Sequence, residues 1–126
     1  MNTQTEAWPT EIRLKRDRKS LHVAFDDGTS CDLPAEYLRV LSPSAEVQGH
    51  SPEQRQTVGG KIDVAITAVD PVGNYAVRLT FSDGHNTGLF SWSYLRRLGR
   101  ERETLWAGYL ADLKAKGLKR EPPAPR

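Results

Sequence analysis

Three histidines, one cysteine and a few carboxylates and hydroxyls are the residues of this 126-residue chain that could carry chemistry. His50 follows Gly49 and His85 follows Gly84, each in a polar stretch where a side chain can point into a cleft while the backbone adapts. If the fold joins the two loops, the imidazoles make a two-histidine ligand set or an acid–base pair. If it does not, His85 stabilises its own turn and His50 is a loop residue. His22 alternates away from Leu21, Val23 and Phe25 and reads as a solvated strand histidine. Cys31 is the only cysteine, so one chain offers neither a disulfide nor a thiolate cluster, and a small buried apolar thiol is expected. Asp26, Asp27 and Asp83 supply carboxylates that Asp-Gly turns already explain. Ser91 and Ser93 stand near His85 in sequence, and a cap role for Ser91 needs fewer assumptions than a nucleophile. Phosphate loops, His-Glu-x-x-His, Gly-x-Ser-x-Gly and paired cysteines are all absent from the sequence, and no enzyme is expected.

His85 must be positioned by residues 77–98, VRLTFSDGHNTGLFSWSYLRRL. Val77, Leu79 and Phe81 alternate with Arg78, Thr80 and Ser82, the period of a strand with one buried face. Asp83-Gly84 turns the chain, Leu89-Phe90 returns it, and Ser91 precedes a helical pattern through Trp92, Tyr94, Leu95 and Leu98. An earlier stretch is a weaker copy. FDDGTSCDLPAEYLR and FSDGHNTGLFSWSYLR share the Phe, the Asp-Gly, the Leu and a Tyr-Leu-Arg ending, with one extra residue before the second Tyr. We read two strand-turn-strand-helix units, a candidate internal duplication.

The remaining elements follow from pattern. Ile12 and Leu14 alternate with charges in a short strand that pairs with 21–25, and Pro34 opens a helical turn carrying Tyr37, Leu38 and Val40. Residues 42–44 end that turn, 45–50 are ambiguous, and 51–60 are expected to form a mobile surface loop. Residues 61–69 predict a strand with Ile62, Val64, Ile66 and Ala68 on one face, and 70–74 a turn. Leu105, Trp106, Tyr109, Leu110 and Leu113 extend a C-terminal helix, with a break at Gly99 and a stop at Gly117. The predicted organisation is a flexible 1–9, a single domain over 10–117 and a disordered Pro-rich tail over 118–126. The fold class is α+β, a small, mostly antiparallel β-sheet built of hairpins with a C-terminal helical segment packed on it.

Charge and composition narrow the partners. A net charge of +2 is too small to imply nucleic acid, and the basic runs at 13–19 and 96–102 read as solvated faces. No apolar run is long enough to span a membrane and the first residues lack a signal-peptide core, so a cytoplasmic address is expected.

The stretches SPSAEVQGH at 42–50 and DGHNTGLFSWSYL at 83–95, followed by a helix with Trp, Tyr and Leu, resemble the gamma-butyrobetaine hydroxylase-like N-terminal domain family. The likeness covers about 9–113. It implies a domain found as a stand-alone bacterial protein, the form this chain resembles, as the N-terminal domain of iron- and 2-oxoglutarate-dependent hydroxylases, and fused to iron–sulfur carrier ATPases. In the hydroxylases the domain is non-catalytic and holds structural zinc through three cysteines and one histidine. Only the histidine carries over, onto His85; the cysteines have no counterpart, and the iron ligands belong to another domain. The expected function is therefore a non-catalytic binding or adaptor domain with a protein partner, an enzyme or an iron–sulfur carrier, and with Trp92, Tyr94 and Asn86 bordering its ligand or partner surface. The alternative is a protein or enzyme that binds zinc or iron through His85 and His50, with further ligands pooled in a homo-oligomer.

Overall fold

Among the described residues, apolar side chains at every second position set six strands, and three helical runs follow where that period lengthens. A computed structural model describes residues 8–44 and 56–122. Strands β1 (Pro9–Leu14), β2 (Ser20–Phe25) and β3 (Ser30–Pro34) lead into helix α1 (Ala35–Val40); β4 (Ile66–Val72), β5 (Ala76–Phe81) and β6 (Leu89–Ser91) lead into α2 (Trp92–Arg100) and α3 (Arg102–Ala115). They form two three-stranded antiparallel sheets, ordered β1-β2-β3 and β4-β5-β6. One core joins them: Leu21, Val23, Phe25, Leu33 and Leu38 pack with Ile66, Leu79, Phe81, Phe90 and Leu95. The α+β class expected from the pattern is the class observed.

The duplication extends to individual hydrogen bonds. Phe25 N–H donates to Thr29 O (2.8 Å) and Phe81 N–H to His85 O (2.9 Å); Gly28 and Gly84 donate back to Phe25 and Phe81. Both glycines sit at φ near +90°, where a Cβ would be strained. Asp27 accepts the Thr29 amide as Asp83 accepts that of His85. Register shifts recur opposite the two phenylalanines, between Pro9 and Glu11 and between Ile66 and Ala68. Leu21↔Leu33 corresponds to Val77↔Phe90, so Leu33 matches Phe90 rather than Leu89 and the extra residue falls in the second turn, before β6.

The halves exchange contacts reciprocally, as the protomers of a twofold dimer do. Tyr37 Oη donates to Leu98 O (2.6 Å), and Tyr94 Oη donates to Leu41 O (2.5 Å), each reaching the carbonyl four residues after the other tyrosine. Arg39 pairs with Asp83 (2.8 Å) and Arg96 pairs with Asp27. A Cβ on Gly99 would lie 2.7 Å from Cys31 Sγ, and one on Gly88 would overlap Ser42 Oγ, so each glycine makes room for a side chain of the other half. This explains Gly99, which does not break the helix. The break falls at Glu101, whose φ of −106° and ψ of 22° leave the helical region.

Four more expectations change. Residues 61–65 are not strand, because Gly60 and Ile62 donate to Lys119 O and Arg120 O rather than to a sheet neighbour. Residues 70–72 stay in β4, an edge strand where Pro71 loses no ladder bond; the turn is 73–75, with Gly73 at φ +54°. Lys119 and Arg120, expected in a disordered tail, are anchored there, and Arg120 forms a two-pronged pair with Glu36 (2.6 and 2.8 Å) over the Trp106 ring. Pro34 is the last residue of β3 and caps α1 rather than opening it. As read from the sequence, Ser91 caps α2, its hydroxyl accepting the Tyr94 amide, and Gly117 ends α3 at φ +68°. Among the described residues no helix is long and apolar enough to cross a membrane.

Candidate functional site: a buried histidine between the two halves

The β5 turn aims His85 inward. With its amide held by Asp83 and its carbonyl by Phe81, the imidazole leaves the solvent side and is only 8% exposed. Its ring lies 6.1 Å from that of Phe81, and Nε2 sits 3.0 Å from Ser42 Oγ and 3.3 Å from Ser44 Oγ. Ser42 is fully buried beneath Gly88, and its Oγ also accepts the Ser44 amide (3.4 Å).

Beside this cluster, Asp83 Oδ2 takes both Arg39 Nε (2.8 Å) and Lys61 Nζ (2.6 Å). Burial raises the Asp83 carboxyl, but hydrogen bonds from Lys61, the His85 amide and Arg39 outweigh it and bring the pKa down to about 2. Arg39 Nη1 is buried with no acceptor among the described residues.

A serine hydroxyl 3.0 Å from an imidazole nitrogen has the spacing of a nucleophile and its base. Nucleophilic catalysis also needs the base oriented and the oxygen reachable. Asp83 binds the His85 backbone instead of its ring, and Ser42 is covered. The cluster joins the end of the first half to the turn of the second.

The other sequence candidates lie apart. His50 falls outside the described residues. Asn86 is exposed in the β5–β6 turn. Trp92 is half-buried, its Nε1 donating to Asn74 O (2.8 Å), and the Tyr94 hydroxyl is spent on Leu41 O. His22 is not simply solvated: Nδ1 is 2.7 Å from Asp32 Oδ1 and Nε2 3.5 Å from Glu11 Oε1. Cys31 is half-buried, and desolvation, helped by Asp32, raises its thiol pKa. Sequence reasoning missed Arg39, Ser42, Ser44 and Lys61. The repeated Tyr-Leu-Arg could have flagged Arg39 as the partner of Asp83, whereas nothing local distinguishes Ser42 from a loop serine.

The zinc of the hydroxylase N-terminal domains does not fit these residues. His85 Nε2 is directed at two serines, and Cys31 contacts Gly99 in the other cross-half junction. Among the described residues no three His, Cys, Asp or Glu side chains gather as a metal set.

A family model described as gamma-butyrobetaine hydroxylase-like, N-terminal, matches residues 12–96. Two proteins solved by solution NMR are similar, at 44% and 45% identity and TM-scores of 0.81 and 0.80; the matches cover 96% and 100% of this chain and 95% of each of theirs. A crystal structure of a DUF971-family protein of unknown function from Acidithiobacillus ferrooxidans is 47% identical, with a TM-score of 0.60, over 71% of this chain and 90% of that one. No curated protein matches.

Proposed function

The chain belongs to the gamma-butyrobetaine hydroxylase-like N-terminal domain family, and on that premise we propose that it is a non-catalytic docking domain that acts with a separate enzyme or an iron–sulfur carrier. The observation that carries this reading is where the polar side chains go. Asp83, Arg39, Ser42, His85, Tyr37 and Tyr94 all bond across the two halves, holding the domain together. Among the side chains left outside are large apolar ones on the second sheet: Tyr75 is 53% and Leu89 40% exposed, and Trp92 lies against the 74–75 backbone. Aromatic and aliphatic anchors of this kind, ringed by polar groups such as Asn86 and Arg78, suit a protein partner.

A photo-crosslinking p-benzoylphenylalanine placed at Tyr75 tests the reading in the native host. The expected result is one dominant adduct, with an enzyme or iron–sulfur carrier, reduced more than about tenfold by Leu89→Asp, as loss of a central apolar anchor implies. Scattered adducts, or one that Leu89→Asp leaves intact, would count against it.

A further inference from the structure

One of the places where the two halves differ leaves a cleft. In the second half the cradle formed by the β5 turn and the end of α1 holds the His85 ring against Phe81, with Ser42 closing it. In the first half Thr29 stands where His85 stands and Gly99 where Ser42 stands, both smaller. Thr29 is turned away onto Asp27 (2.6 Å). A cleft of about 240 Å³ is left, lined by Phe25, Thr29, Cys31, Arg96, Gly99 and Arg100.

We propose that this cleft binds a small planar ring carrying one carboxylate. The matching cradle accommodates a ring of that shape against a phenylalanine, and the lining here is mostly apolar, with a soft thiol that suits contact with an aromatic ring. Charge selects the substituent. Arg96 lies over the Phe25 ring (5.6 Å) and is neutralised by Asp27, whereas Arg100, which also lines the cleft, is exposed and among the described residues has only a 3.9 Å contact to Glu101. A guanidinium so placed meets a carboxylate with two parallel hydrogen bonds. The site shares no residue with the Tyr75–Leu89–Trp92 strip, so it stands or falls separately from the docking reading.

Benzoate is the probe, followed by amide NMR of the full chain, with benzamide as its neutral counterpart. Benzoate should shift the amides of Cys31, Gly99 and Arg100 with a dissociation constant of order 1 mM, as a ligand of so few atoms allows, and benzamide should bind at least about tenfold more weakly. Thr29→His, which rebuilds the His85 arrangement, should abolish these shifts. Alkylating Cys31 with N-ethylmaleimide in the unaltered protein should do the same, a check that does not depend on the variant folding. Shifts scattered over the surface, equal binding of benzamide, or binding that survives alkylation would overturn the proposal.

Discussion

Gly88→Ala should destabilise the protein by about 3 kcal/mol, the upper range for forcing an extra group into a packed interior. A Cβ at this position overlaps Ser42 Oγ and also presses on Pro43 and Phe90, so the turn and the first half must separate. Ser42→Gly alone should cost about 1–2 kcal/mol through loss of its hydroxyl from the buried hydrogen-bonded cluster. Combined, the two should cost clearly less than their sum, because the new methyl enters the space the serine leaves. The double variant imitates the other half, where the side chain is on the strand at Cys31 and the glycine is in the helix at Gly99. Urea unfolding of the four proteins measures the coupling, and strict additivity would show that Gly88 and Ser42 do not share this space.

Asp83→Asn should cost about 3 kcal/mol, because it leaves Arg39, 11% exposed, and its neighbour Lys61 without their shared carboxylate. The matching Asp27→Asn should cost less, since that side chain is more exposed, 34% against 22%, and so is its Arg96 partner. The sign of the pH dependence follows from the direction of the Asp83 shift. A folded-state pKa of about 2, below the unfolded value near 3.9, contributes stability that is full above the unfolded value and lost as pH falls through about 2. Thermal midpoints measured from pH 6 to pH 2 should therefore fall less steeply for Asp83→Asn than for the parent. Parallel slopes would show that Asp83 is not held as described.

The duplicated architecture was legible because its signals are local. Alternation marked β2 and β5, Asp-Gly marked both turns, and the repeated Tyr-Leu-Arg marked both helices. What escaped was set by contacts across the halves. Gly99 reads as a helix breaker until Cys31 is seen opposite it, and residues 61–65 alternate like a strand although their hydrogen bonds go to Lys119 and Arg120. Leu33 was paired with Leu89 by identity, while the ladder pairs by register and puts Phe90 in its place. The site divided the same way. His85 stands out by residue type, but the hydroxyls its ring meets, those of Ser42 and Ser44, lie more than forty positions earlier. The duplication also gives the site its meaning, because the reciprocal Tyr, Arg and Asp bonds make His85 one part of a seam.

We propose that His85 serves to seal this seam, its Nε2 facing Ser42 and Ser44 rather than a metal ion. Metal content by elemental mass spectrometry tests it most directly, on the parent and His85→Ala after exposure to zinc or ferrous iron and dialysis. The account predicts no stoichiometric metal in either protein, with His85→Ala less stable. One metal per chain in the parent, lost in His85→Ala, would contradict it.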